Sequence, residues 1–215
     1  NGNAFSGGGL FQPTEGSRGD PAIVADSQGF FYLAAITREM NIAVARTTGT
    51  LPPFSFGNAA IIDGGDPDLD KELMAIDRTN GPFKDRIYLV AAKVGFGIWE
   101  THTTSLNPLT FTPLQKLPGT TSAATGPMPA VGPDGEVFVA YRHGTKQIEV
   151  TKSTDGGQSF ANPDPNDPEE AKLIDMTASP QFLGPGTLLA LSIPQIAADT
   201  TADGSPTRGN VYIVF

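Results

Sequence analysis

A strand–turn–strand pattern occurs four times along the 215 residues, and this repetition constrains the fold more than any other feature. In each copy an apolar stretch leads into a turn, and a run of β-branched and aromatic residues follows. The four runs that follow the turns are residues 31–35, 87–91, 137–141 and 211–215. Apolar runs of this length on either side of turn residues are typical of β-hairpins. The sequence therefore predicts an all-β chain built from repeated hairpins.

The spacing of the hairpins indicates the architecture. The aromatic anchors Tyr32, Tyr88 and Phe138 are 56 and 50 residues apart, and a third apolar strand follows each of these hairpins. A unit of roughly 50 residues with about four strands matches a β-propeller blade. We predict blades at approximately 18–60, 61–117 and 124–175, an incomplete fourth blade at 186–215, and a leader or linker at 1–17. The stretch 68–76 is helix-like in composition but takes the place of a first strand, so we predict a strand there.

Composition excludes several classes of protein. The chain has 25 Gly and 19 Pro residues, which argues against long helices. Its net charge is −9, which argues against binding to nucleic acid or to an anionic membrane, because both require a basic face on the protein. No apolar run is long enough to span a bilayer. Because there is no Cys, disulfides, thiolate zinc sites and Cys nucleophiles are excluded.

Residues 153–160 form the most specific motif in the sequence. Ser153, Asp155, Gly157 and Phe160 fit the pattern S-x-D-x-G-x-[ST]-[FW]. Asp155 can accept backbone N–H groups inside a turn, Gly157 can adopt a positive φ, and Ser153 can bond across the loop. Phe160 can insert beneath the turn. Weaker copies at 46–54 and 104–111 follow the same period.

This motif resembles the Asp-box of the sialidase-like repeat proteins, also called BNR repeats. The hairpins that begin near residues 70 and 193 are similar to blade openings of bacterial sialidase-like propellers, so the resemblance covers about residues 18–215. It implies a propeller of four-stranded blades in a secreted or cell-surface protein. Since an Asp-box lies on the propeller rim, the resemblance implies a structural role for this motif.

The residues that sialidase chemistry needs are incomplete in this sequence. Members of the family resemble one another in a Phe/Tyr-Arg-Ile-Pro motif and in an acid/base Asp on a later loop of the same blade. Here the corresponding stretches are 17–21, without the aromatic residue, and 37–41, without Asp. Arg18 and Arg38 are candidates for binding a substrate carboxylate, with ordinary surface pairing as the alternative. Tyr141 and Arg142 are candidates at a strand end, with a capping role as the alternative.

An acidic segment suggests a calcium site. Its members are Asp66, Asp68, Asp70 and Asp77, and alternate carboxylates of this kind occur in calcium loops. However, Lys71 occupies the sixth position of the segment, where such a loop needs Gly. A solvated acidic rim is the alternative, and no other cofactor is predicted.

Taken together, these features predict a non-catalytic, secreted sialidase-like propeller that recognises a glycan or a protein, or serves as a scaffold. One alternative is a glycoside hydrolase whose catalytic groups lie partly outside this segment. A second is a structural protein of a surface assembly. Four blades leave sheet edges open, so we expect closure by further chain or by a second subunit.

Overall fold

The computed structural model describes residues 17–63, 69–144, 147–161, 171–175 and 193–215. These residues form fifteen β-strands and no helix, which confirms the predicted all-β class. Accordingly, no helix in these ranges is long and apolar enough to cross a membrane.

The strands form four antiparallel sheets that follow the order of the chain, except that the last strand of the second sheet, β9, pairs with β7. The first sheet contains β1 (Ser17–Ala25), β2 (Phe31–Thr37), β3 (Ile42–Arg46) and β4 (Ala60–Ile62). The second contains β5 (Leu69–Ile76), β6 (Ile87–Lys93), β7 (Gly97–Leu106), β8 (Leu109–Phe111) and β9 (Gln115–Lys116). The third contains β10 (Ala124–Val131), β11 (Val137–His143), β12 (Gln147–Ser153) and β13 (Ala171–Asp175). The fourth contains β14 (Gln195–Ala198) and β15 (Val211–Val214).

The four predicted hairpins correspond to the first two strands of each sheet. The strand predicted at the start of the second unit is confirmed as β5. The first strands also contact one another in chain order, since β1 contacts β5, β5 contacts β10, and β10 contacts β14. The sheets therefore pack side by side through their first strands.

Strand β6 shows why the apolar runs do not alternate with polar residues. Ile87, Leu89 and Ala91 belong to the core shared with the first sheet, whereas Val90 and Ala92 belong to the core shared with the third. A strand that is covered on both faces buries every side chain and so reads as a continuous apolar run. Each large side chain buried in this way stabilises the fold by about 1.5–3 kcal/mol.

The hairpin turns at one end of the sheets, which we name the hairpin end, use acidic side chains as acceptors. Asp26 Oδ1 accepts the backbone N–H groups of Gln28 and Phe30, each at 2.9 Å. Asp77 and Asp199 accept an N–H group from the residue two positions on, at 2.7 and 2.9 Å. These contacts hold each chain reversal.

Polar contacts at the hairpin end also connect neighbouring sheets. Ser27 donates its backbone N–H and its hydroxyl to Asp85, at 2.7 and 2.6 Å, which joins the first sheet to the second. Arg208 Nη2 lies 2.7 Å from Asp134 Oδ1, which joins the fourth sheet to the third. Because each contact spans two hairpins, the relative position of the sheets depends on residues far apart in sequence.

Candidate functional site at the bulged end of the first strands

The opposite end of the sheets contains the same backbone irregularity in three first strands. The register shifts between Gly19 and Ala22 in β1, between Asp70 and Leu73 in β5, and between Thr125 and Met128 in β10. Within these bulges Asp20, Lys71 and Gly126 have positive φ angles of 51°, 56° and 62°. Bulges of this kind redirect side chains and occur often next to active sites. We name this end the bulge end, comprising residues 19–21, 38–41, 70–72, 93–97, 121–127 and 141–144.

A left-handed backbone at Asp20 and Lys71 is strained, because a Cβ disfavours this conformation. Gly126 adopts it without a Cβ, and an added Cβ there would lie 2.9 Å from Ile193 Cγ2 of the neighbouring sheet. The residues after the bulge positions are Pro21, Glu72 and Pro127. Two of the three are therefore residues without a backbone N–H, and only the second sheet carries an ionisable side chain at this point.

Glu72 is the most unusual carboxyl group among the described residues. It is 1% exposed, and neither of its carboxyl oxygens has a hydrogen-bond partner among the described residues. Burial is the main cause that raises the pKa of Glu72 from 4.5 to about 8, with a smaller contribution from the carboxylates of Asp20 and Asp70, while the backbone N–H groups of Glu72 and Ile36 act in the opposite direction. At pH 7 the carboxyl is therefore neutral and can donate a hydrogen bond as well as accept one. Strongly perturbed carboxyl groups of this kind cluster at functional sites.

Partly exposed groups of mixed chemistry lie at the same end of the second sheet as Glu72. Lys71 Nζ lies 3.6 Å from Asp70 Oδ2, and both side chains are partly exposed. On the neighbouring β6–β7 turn, Phe96 is 53% exposed and its ring centre lies 5.5 Å from Lys93 Nζ. Carboxylates, an ammonium group and an exposed aromatic ring therefore share the end of one sheet.

The structure places the sequence candidates for a catalytic role at this same end, on two sheets. Arg38 is exposed in the β2–β3 turn. Arg18 lies in β1, and its side chain falls outside the described part of the chain. Tyr141 is buried and pairs with Glu149 across β11 and β12, while Arg142 is half-buried beside it. Burial and the Glu149 carboxylate raise the pKa of Tyr141, so its hydroxyl stays neutral.

A chain of hydrogen bonds extends from Glu149 to the protein surface. Glu149 Oε1 lies 2.6 Å from His143 Nδ1, and His143 Nε2 lies 2.7 Å from Thr121 Oγ1. The carboxylate is buried, the imidazole is half-buried and the threonine is exposed. Thr121, His143 and Glu149 therefore form an ordered polar group next to Tyr141 and Arg142.

The turn at residues 153–160 lies at the hairpin end, away from these groups. Asp155 Oδ1 accepts the hydroxyl of Ser153 at 2.8 Å and the backbone N–H of Ser159 at 2.9 Å. Gly157 has a φ of 89° and donates its N–H to Ser153 Oγ at 2.9 Å. Phe160 packs against the core between the second and third sheets. These contacts hold the turn in a single conformation.

The same turn contacts a buried polar cluster of the second sheet. Arg86 Nη1 donates to the Gly156 carbonyl at 2.7 Å, and Gln115 Nε2 donates to the Gly157 carbonyl. Gln115 Nε2 also donates to Glu100 Oε2 at 2.7 Å, and Glu100 Oε1 lies 3.1 Å from His102 Nδ1. The turn therefore fastens the third sheet to the second.

We expect Asp155→Ala to destabilise the protein by about 1–2 kcal/mol, because the Ser159 N–H and two hydroxyls lose their acceptor. The hydrogen bonds from Ser153 and Ser159 also lower the pKa of Asp155, although burial acts in the opposite direction. The stabilisation from Asp155 is therefore present above the ordinary pKa of an Asp and is lost as the pH falls through the folded value. Urea unfolding measures both effects. Thr154→Ala, at an exposed position of the same turn, is the matched control and should change the free energy of unfolding by less than about 0.5 kcal/mol.

The predicted calcium segment lies only partly within the described residues, so the calcium site stays a prediction. Asp66 and Asp68 lie outside them. Asp70 and Asp77 lie at opposite ends of β5, about 23 Å apart at the usual rise of a strand. No group of three His, Asp or Glu residues in the described ranges is arranged to hold a metal ion.

A cleft of about 560 Å³ lies at the hairpin end, between the turns of the second, third and fourth sheets. Its lining includes Arg78, Thr79, Thr201 and Arg208. Arg78 already donates to the Ala25 carbonyl at 2.7 Å, and Arg208 is paired with Asp134 and Asp203. This cleft is an alternative location for a ligand among the described residues.

Sequence reasoning missed the most perturbed carboxyl group of the site. Glu72 follows Lys71, which we considered only because it occupies the position where a calcium loop needs Gly. Glu149 and Thr121 belong to no motif. One signal was available in the sequence. In each of the three first strands the bulge residue, at position 20, 71 or 126, lies five positions before the last residue of the strand. The residue directly after the bulge is therefore at the same place in each repeat, and it is Pro in two of them and Glu in the other.

Comparison with known proteins gives evidence on the fold only. No family model matches the chain, and no curated protein matches it. A crystal structure of a protein of unknown function from Dyadobacter fermentans DSM 18053 is similar, with a TM-score of 0.55 and 13% sequence identity over 79% of this chain. The match covers 54% of that protein, so this chain spans about half its length. An exo-beta-1,3-galactanase from Clostridium thermocellum matches with a TM-score of 0.46 and 13% identity, over 66% of this chain and 34% of that one.

Proposed function

We propose that this chain is part of a secreted or cell-surface sialidase-like β-propeller that binds carbohydrate at its bulge end. The observation that carries the proposal is the bulge repeated at one position in β1, β5 and β10. Because these first strands contact one another in chain order, the three bulges direct residues toward a shared region at one end of the sheets. Consecutive antiparallel sheets joined through their first strands are also the arrangement of propeller blades.

The chemistry of the bulge end suits a polyhydroxylated ligand. A sugar hydroxyl both donates and accepts hydrogen bonds, so a binding site needs groups of both kinds. Asp20 and Asp70 are acceptors and Lys71 is a donor, and all three side chains are at least partly exposed. Phe96 supplies an exposed aromatic face for the apolar side of a sugar ring. A few polar groups beside an apolar surface are typical of ligand sites.

We expect Asp20→Asn and Lys71→Asn each to weaken glycan binding about tenfold, which corresponds to about 1.4 kcal/mol. Asn tolerates a positive φ better than most residues, so these substitutions remove the charge and preserve the bulge. A glycan array identifies a ligand, and isothermal titration calorimetry then measures its affinity for each variant.

Lys84→Asn, at an exposed position of the hairpin end, is the control for loss of a positive charge. Unchanged affinity in both bulge variants contradicts the proposal. A loss of affinity confined to Thr201→Ala places the ligand in the cleft at the hairpin end instead.

A glycoside hydrolase is the second candidate, and the raised pKa of Glu72 is the observation that favours it. A retaining or inverting glycosidase needs one protonated carboxyl as acid and one carboxylate as nucleophile or base. Glu72 is protonated at pH 7, and Asp20 and Asp70 lie near enough to raise its pKa. Against this, the Glu72 oxygens are buried in the structure. Hydrolysis of aryl glycosides that is lost in Glu72→Gln, while glycan binding is retained, distinguishes this candidate from a binding module.

The exposed apolar residues on the outer sheets support the proposal that more protein completes the propeller. In the fourth sheet Tyr212, Val214 and Phe215 are exposed, and in the first sheet Ile23 is exposed. Further blades of a longer chain, or a second subunit, would cover these residues. A structural role in a surface assembly remains the third candidate, and concentration-dependent assembly measured by light scattering tests it.

A further inference from the structure

Thr121, His143 and Glu149 have the connectivity of a nucleophile, a base and a group that orients the base. Thr121 Oγ1 lies 2.7 Å from His143 Nε2, and His143 Nδ1 lies 2.6 Å from Glu149 Oε1. Both distances are in the range of strong hydrogen bonds. In sequence the first and last members are 28 positions apart, so the tertiary structure brings them together.

The hydrogen bonds determine which nitrogen of His143 carries the proton. An ionised carboxylate only accepts hydrogen bonds, so the Nδ1 atom facing Glu149 bears hydrogen. In the neutral imidazole the Nε2 atom then has a free lone pair, and this atom faces the Thr121 hydroxyl. The hydroxyl therefore donates to Nε2, which increases the electron density on Thr121 Oγ1.

The backbone holds this arrangement in place. The Ala124 N–H donates to the Thr121 carbonyl at 3.0 Å, and the Ala123 N–H donates to Thr121 Oγ1 at 3.3 Å. The Gly144 N–H donates to the Ala123 carbonyl at 3.0 Å, which connects the turn of Thr121 to the end of β11, where His143 lies. Nucleophile and base are therefore fixed relative to each other before any substrate binds.

The exposure of the three side chains decreases from the nucleophile to the base and then to the group that orients the base, as acyl transfer requires. Thr121 is exposed, the side chain of His143 is 20% exposed, and that of Glu149 is 8% exposed. An ester can reach the hydroxyl, while the carboxylate is shielded from water. Tyr141 and Arg142 are the other ionisable groups of the adjoining strand that lie next to the pair.

We propose that Thr121 is a nucleophile for acyl transfer, with His143 as its general base and Glu149 as a positioning residue, and that its substrates are carboxylic esters. Thr121 Oγ1 attacks the ester carbonyl carbon, and its proton passes to His143 Nε2. The carbon–oxygen bond to the leaving group breaks, and the alkoxide takes that proton to leave as the alcohol. Water then attacks the acyl-threonine with the same proton transfers, releasing the carboxylic acid and restoring Thr121. This proposal does not depend on carbohydrate binding.

Labelling with a fluorophosphonate tests the nucleophile directly. Thr121 Oγ1 displaces fluoride from phosphorus and its proton leaves through His143, so the product is a phosphonylated threonine and HF. We expect one adduct by intact mass, located at Thr121 by peptide mapping. Thr104 and Thr110 form a hydroxyl pair at 2.8 Å on an exposed edge and are the internal control for unassisted reactivity. Labelling at Thr121 should be at least about tenfold faster than at these residues.

The variants separate a chemical role from a structural one. Thr121→Val abolishes the adduct, Thr121→Ser retains it, and His143→Gln lowers labelling to the rate of the control threonines. Glu149→Gln shifts the dependence of labelling on pH, which a merely structural residue would not do. Release of p-nitrophenol from p-nitrophenyl acetate should follow the same order among the variants. Labelling of Thr121 no faster than that of Thr104, or labelling unaffected by His143→Gln, overturns the proposal.

Discussion

Glu72→Gln is expected to stabilise the protein at alkaline pH. Glu72 has a pKa of about 8 in the folded protein, against 4.5 for an ordinary Glu. A carboxyl whose pKa is raised by folding destabilises the folded protein at every pH at which the same carboxyl is ionised in the unfolded chain. Stability should therefore be greatest below about pH 4.5, decrease as the pH rises toward 8, and change little above that. Gln does not ionise, so the variant lacks this decrease.

The expected difference is large because the two pKa values are far apart. At about 1.4 kcal/mol for each pH unit, Glu72→Gln should be more stable than the parent protein by on the order of 3–5 kcal/mol above pH 8. Near pH 4 the two proteins should have similar stability, because Glu72 is then neutral in both states. Urea unfolding across this range measures the effect. The matched control is Glu39→Gln, which removes an exposed carboxyl from the first sheet, also at the bulge end. Parallel pH profiles for the parent protein and Glu72→Gln would disprove the assignment.

Gly157→Ala is expected to destabilise the protein by about 3–5 kcal/mol, which is an exceptional loss for one methyl group. Two effects combine. Gly157 has a φ of 89°, which a Cβ disfavours. In addition, the new Cβ would lie 2.9 Å from His102 Nδ1 and 3.1 Å from Glu100 Oε1. Both side chains are buried, and Glu100 is bonded to Gln115, so neither can move without losing hydrogen bonds.

Gly95→Ala separates the two effects. Gly95 has a comparable φ of 81°, but a Cβ there would meet no atom within 4 Å. The control variant therefore carries the backbone strain alone, about 1–2 kcal/mol. The difference between the two variants in the free energy of unfolding measures how closely the turn packs on the second sheet. Equal losses in the two variants would show that the turn is not seated on Glu100 and His102.

The two predictions concern opposite ends of the molecule. The turn of Gly157 fastens one sheet to another, whereas Glu72 keeps a carboxyl buried at a cost in stability. Strongly perturbed carboxyl groups cluster at functional sites, so the proposed binding site is placed at the end that contains Glu72 and not at the end that contains Gly157.

Local features of the sequence were sufficient to predict the hairpins. Runs such as 87–91 are too apolar and too rich in β-branched residues for a solvent-exposed segment, and the acidic residues after the first strands mark where the chain reverses. Their recurrence predicted the order of the first three strands in each of the first three sheets. The residues of the 153–160 turn were also visible, because their side chains bond within eight positions of one another.

The candidate site could not be predicted in the same way. Glu72 has a raised pKa chiefly because burial removes water from its carboxyl, and to a smaller extent because β1 places Asp20 near it. His143 is bonded to Glu149 through the pairing of β11 with β12, and to Thr121 through the turn that precedes β10. None of these contacts has a fixed spacing in the chain.

The sequence by itself thus determined the all-β class, the hairpin repeat and the internal hydrogen bonds of the turns, since each depends on residues close together in the chain. The tertiary structure decided which carboxyl is neutral at pH 7, which hydroxyl faces an imidazole, and that Asp70 and Asp77 lie at opposite ends of one strand. Desolvation and hydrogen bonding depend on distance in space, and the packing of separate sheets sets that distance.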